Sequence, residues 1–219
     1  MTAVPVSLRE RKKRQTRERI ADAAHALFIQ QGFDAVTVES IADAAEISKP
    51  TFFRYFTSKG AVLAALIERM DSEFISHIAC ECQRRTTTES RLLQFMRSSA
   101  GYIEKHPDST RLLLASGMAD FGEHDVTSSR MSRLNEAMAN LVVVGQEQGD
   151  IRTDTDIELL VQILVGSYFY GLLNWLSKPE DNLTSRLEQT AYFLAATLAP
   201  LNDQAAKPSL TSTVNNTIF

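Results

Sequence analysis

Apolar residues recur along this chain with a helical period, and no strand-like alternation of any length interrupts it. Ile20, Ala24, Leu27 and Phe28 form a stripe that predicts a first helix from Thr16 to about Gln31. Gly32 suits the position just past a helix end, with Phe33 packing back onto it. Val38, Ile41, Ala42 and Ala45 then fall at i, i+3, i+4 and i+7, so a second helix opens behind Thr37. Thr37 reads as its N-cap, with Ser40 standing where a Glu or Gln would complete the capping box. The pattern breaks at Glu46-Ile47-Ser48. Ser48 caps a third, short helix with Pro50 in its first turn, where the missing N–H costs nothing. Phe52 and Phe56 are four apart and anchor that helix inward, which turns Lys49, Thr51, Phe53 and Arg54 outward.

Longer helices follow. Ser58 caps one running to about Cys82; the next are expected over about Glu89–Lys105, Ser109–Asp120 and Thr127–Gln148. Pro107 ends the first of these three, Gly122 to Asp125 reads as a loop, and Gly149 stops the last. The most apolar stretch, 157–178, carries no charge between Glu158 and Lys178. It approaches the length of a membrane span, but Gln162, Ser167, Asn174 and two glycines favour a helix buried on all sides, and no membrane partner is expected. Leu183–Leu198 is its companion. Residues 202–219 are polar and small, and are expected to be a disordered tail. The fold class is therefore all-α: a basic arm over 1–15, a three-helix domain with a helix-turn-helix over 16–60, and a larger helical domain over 61–201.

Two short helices joined by a tight turn match the DNA-reading helix-turn-helix. A cation, a hydroxyl, an aromatic ring and an Arg on one outer surface suit a DNA groove better than bulk water. Composition bears on this. The 219 residues are 44% hydrophobic and 23% charged, enough for real cores, yet the formal net charge is -4. The distribution resolves the conflict: residues 1–60 hold 10 Lys/Arg against 7 Asp/Glu, while 61–219 hold 13 against 20. The basic part carries the motif. Arg9, Arg11, Lys12, Lys13 and Arg14 form an arm that is solvated when free and can lie along phosphates.

The stretch from Arg17 to Leu66, with RERIADAAHALFIQQGFDAVTVESIA and ISKPTFFRYFTSKGAVLAAL, resembles the tetracycline-repressor (TetR) family of transcriptional regulators. The resemblance implies that Thr37 meets a phosphate, that Lys49, Pro50 and Phe53 touch base edges, and that Thr51, Tyr55 and Lys59 hold the DNA backbone. Ser48 and Arg54 complete the candidate DNA surface. Phe53 stands where a Tyr is more common in the family; its ring can press on a thymine methyl but has no hydroxyl to donate. The resemblance also implies a homodimer through 157–178 and 183–198, and a small-molecule effector held in the larger domain.

Candidate effector-binding residues are Phe74, Phe95, Met96, Tyr102, Met118, Met131, Met138, Tyr168 and Trp175, many of which would serve equally as core. The effector is expected to be mainly apolar. A dimer of reading heads separated by about one DNA turn, roughly 34–36 Å, requires an inverted-repeat operator. Repression is the expected outcome, with activation as the alternative, since operator position decides it. His77, Cys80 and Cys82 sit near one helix end, but 82 lies well round the axis from the other two, so no metal site is expected. No cofactor is expected. No nucleophile–base pair, Gly-rich phosphate loop or dense His/carboxylate cluster points to an enzyme. Two cysteines and the lack of an apolar run near the N-terminus place the expected location in the cytoplasm.

Overall fold

A computed structural model describes residues 7–119, 124–178 and 181–201; the side chains of 117–131 lie outside the described set. The described residues form helices α1 Leu8–Gln31, α2 Val38–Ala44, α3 Lys49–Phe53, α4 Lys59–Gln83, α5 Thr88–Lys105, α6 Pro107–Ala119, α7 His124–Gln148, α8 Ile157–Ser177 and α9 Leu183–Leu198, and no strand. The all-α expectation holds.

Two boundaries differ from the expectation for clear physical reasons. α1 begins eight residues earlier than Thr16. Ser7 starts it with a capping box: its hydroxyl accepts from the Glu10 N–H at 3.2 Å, and the Glu10 carboxylate accepts from the Ser7 N–H at 3.0 Å. The basic stretch 8–15 is therefore helix rather than disordered arm; residues 1–6 lie outside the described residues. Pro107 does not merely end α5. It opens α6, because the first helical position needs no N–H. The expected loop Gly122–Asp125 falls partly outside the described residues, and α7 already begins at His124. The tail 202–219 lies outside them altogether.

The turn between α2 and α3 is set by backbone geometry. Glu46 adopts φ 52, and the Ile47 N–H reaches back to the Ala42 carbonyl at 2.9 Å. A left-handed residue followed by this 6→1 bond is the Schellman way of ending a helix, here without the usual glycine.

Two cores result. The smaller gathers Ile20, Ala24 and Phe28 of α1, Val36, Ile41 of α2, Phe52 of α3, Phe56, and Val62 and Leu66 of α4. The larger gathers Ile78 of α4, Leu92, Phe95 and Met96 of α5, Met138 and Leu141 of α7, Leu164, Tyr168 and Trp175 of α8, and Leu187 and Leu194 of α9. α4 runs through both and ties them into one frame. Within the single chain, Leu160, Leu164, Tyr168 and Leu172 of α8 face the core, while Leu159, Ile163, Tyr170 and Leu173 are exposed, so the burial expected on all sides of 157–178 is met here on one face.

Candidate functional site

The candidate DNA-facing surface is built from α3 outward. Ser48 caps it, accepting from the Thr51 N–H at 3.3 Å, and the two hydroxyls lie 2.9 Å apart. Phe52 and Phe56 are buried at 0% and 3% exposure, and the Phe53 ring stands edge-on to Phe52 at 5.5 Å while remaining 48% exposed. Ser48, Lys49, Pro50, Phe53 and Arg54 are all exposed; Thr51 and Tyr55 are half-buried. Arg17 of α1 braces this helix from the side: its guanidinium lies 4.2 Å over the Phe56 ring, and Nη1 donates to the Tyr55 carbonyl at 3.1 Å. Only the tertiary fold brings residues 17 and 55 together, so helical spacing could not reveal it.

Two basic residues are not free as the sequence suggested. Lys49 pairs with Glu39 of α2, and that bond holds the Glu39 carboxyl below its ordinary range. The Lys59 ammonium turns inward and donates to the carbonyls of Phe33 at 2.8 Å, Asp34 at 3.0 Å and Val36 at 2.9 Å, over the Phe33 ring. Its three donors are thus used in clasping the α1–α2 loop, which corrects the expected phosphate role. Thr37 is exposed and its hydroxyl caps α2, accepting from the Ser40 N–H at 3.1 Å.

A second feature lies in the larger domain. A cavity of about 230 Å³ is lined by residues of α4, α5, α6, α7 and α8. Phe74, Phe95, Tyr102 and Tyr168 line it, as the sequence suggested. Met96, Met138 and Trp175 do not; they are spent in core packing, and the Trp175 indole N–H donates to the Asp181 carbonyl at 2.6 Å. Met118 and Met131 have side chains outside the described set. His77, Ser99, Thr110, Leu114 and Phe169 also stand in the wall, where the sequence did not suggest them. Polar residues on amphipathic helices give no sign of which cavity they meet.

Comparison with known proteins follows the same division. The sequence profile for bacterial regulatory proteins of the tetR family matches residues 20–66, the helix-turn-helix and its supporting helices. Residues 20–66 are a DNA-binding domain of the TetR family of transcriptional regulators. The chain is 28% identical over 180 residues to an uncharacterized HTH-type transcriptional regulator, YdeS, of Bacillus subtilis, covering 81% of this chain and 88% of that one. Its fold resembles that of SmeT from Stenotrophomonas maltophilia in complex with triclosan, with a TM-score of 0.70, 20% identity, and coverage of 93% and 99%. It also resembles Thermus thermophilus FadR, a TetR-family repressor in complex with lauroyl-CoA, with a TM-score of 0.63, 25% identity, and coverage of 87% and 98%. TetR-family regulators bind DNA through the helix-turn-helix, which is the α2–α3 unit here.

Proposed function

We propose that this regulator is a repressor that binds an inverted-repeat operator as a twofold dimer in the cytoplasm, and that a small, mainly apolar effector releases it. The observation that carries this reading is α4. One helix packs behind the α3 reading surface through Val62 and Leu66, and further along its length lines the cavity with Phe74. A molecule filling the cavity therefore presses on the same rigid element that holds the reading head. The solved relatives that contain triclosan or lauroyl-CoA support an apolar effector. To switch anything, the effector must prefer the DNA-free arrangement; about 1–3 kcal/mol of coupling corresponds to roughly 5–150-fold.

The dimer reading draws on the exposed apolar face of α8 and α9: Leu159, Ile163, Tyr170, Leu173, Tyr192 and Phe193, with Tyr170 and Phe193 at 72% and 71% exposure. A row of large apolar side chains left in water on two adjacent helices suits pairing with a second copy as a four-helix interface. Mobility-shift titration against the DNA flanking its own gene tests the whole. The parent shifts that DNA as a dimer; Lys49→Ala and Phe53→Ala each lose about 1–3 kcal/mol of sequence preference. Phe193→Asp gives a monomer by light scattering and weakens the shift. Equal shifts by parent and all three variants overturn the reading.

A further inference from the structure

The regulator reading leaves the chemistry of its effector open, and the cavity wall narrows it; the inference rests on that reading. Phe74, Phe95 and Tyr168 touch one another pairwise, with ring centroids 5.0, 5.5 and 5.5 Å apart, and Phe169 adds an edge to Tyr168 at 5.6 Å. These are the separations at which aromatic rings attract, so a further ring entering the cavity meets the same geometry. Two other hydroxyls in the wall have partners on their own helices. Ser98 accepts from the Gln94 amide at 3.2 Å, and Thr110 donates to the His106 carbonyl at 3.1 Å.

The Ser99–Tyr168 pair differs. The two hydroxyls bond to each other, which uses one O–H and leaves the other, with free lone pairs, for a ligand. Burial pushes the Tyr168 phenol up to about 12, so it stays a neutral donor. Among the described residues the lining carries the carboxylates of Asp71 and Glu73 and no Lys or Arg. A carboxylate or phosphate ligand meets no Lys or Arg counter-ion among these residues. At about 230 Å³ the cavity is also smaller than the roughly 300–1,000 Å³ typical of drug-sized sites.

We propose that the cavity takes a small uncharged aromatic compound of one or two rings, bearing a single hydroxyl or carbonyl engaged by the Ser99–Tyr168 pair, and that it rejects carboxylates. Calorimetric titration of the full chain with 4-phenylphenol, biphenyl, biphenyl-4-carboxylate and decanoate tests this. The expected result is that 4-phenylphenol binds about tenfold tighter than biphenyl, the worth of one hydrogen bond made in a dry site. Both carboxylates bind more weakly still. The double variant Ser99→Ala/Tyr168→Phe, checked for unchanged melting, removes the preference for 4-phenylphenol over biphenyl. Carboxylates binding as tightly as 4-phenylphenol, a preference that survives the double variant, or no binding by any probe overturns the proposal. Mobility shift of the same ligand-free protein is scored separately: a chain that shifts DNA but binds no probe loses only the ligand class, and one that fails to shift DNA loses the regulator reading.

Discussion

Leu113 and Leu114 are neighbours in α6, yet each is buried in a different core: Leu113 with the DNA-binding helices, Leu114 with the larger domain, where it also lines the cavity. One turn earlier the same helix makes a polar joint to α1, with Ser109 Oγ 2.7 Å from His25 Nε2. α6 is thus a second tie between the two parts, beside α4.

The joint is pH-sensitive. Desolvation first, then the charges of Arg69 and His106, lower the His25 pKa below its ordinary value of 6.5, against Asp22, which raises it. The fold thus favours neutral imidazole. Its contribution is fully present above the unfolded value and is lost as pH falls through the lowered folded value. Melting temperature should fall between about pH 7.5 and 5 more steeply for the parent than for His25→Asn. Parallel curves for the two proteins would remove His25 from the account.

Lys59 separates a structural role from a DNA role. If its ammonium met a phosphate, replacing it would flatten the salt dependence of DNA binding by about 0.9 in slope. The three carbonyl bonds predict instead that Lys59→Ala lowers the melting temperature and leaves that slope unchanged. Salt titration of parent and variant at one temperature, below both melts, decides between them.

Glu39 holds Lys49 beside the reading surface. Glu39→Gln frees the ammonium and removes a negative charge facing phosphates. DNA affinity should rise, and the salt slope steepen by up to about one unit, in the same titration. Weaker binding by the variant would mean that Glu39 positions Lys49 rather than restraining it.

Arg91 is 1% exposed and closes the far end of the larger domain. Its guanidinium donates to the carbonyls of Glu81 at 3.1 Å and Arg84 at 2.7 Å, at the C-terminal end of α4, and to the Gln148 side chain at 2.6 Å. A cation there also suits the negative end of the helix dipole. Arg91→Met removes all three bonds of a buried guanidinium and should cost about 3 kcal/mol, lowering the melting temperature by roughly 6–12 °C. Sequence preference for DNA should not change, since α3 lies in the other core.

Helix spacing and capping were legible residue by residue. Thr37, Ser48 and Ser58 each accept the expected backbone N–H, and α9 spans the expected Leu183–Leu198. Spacing also turned Phe52 and Phe56 inward and Lys49, Phe53 and Arg54 outward, because those choices depend only on neighbours three or four residues away. The start of α1 was missed because its basic side chains hid the Ser7–Glu10 cap.

What the chain alone determined was therefore local: helix positions, caps, the helix-turn-helix and the inward face of each helix, all set by interactions within one or two turns. What only the tertiary structure decided was long-range. Lys59 clasps a loop 23 to 26 residues away, Arg17 braces Tyr55, and Ser99 meets Tyr168 across 69 residues. Such pairings depend on how whole helices are laid against one another, which is fixed by the summed burial of many side chains and is written in no single stretch.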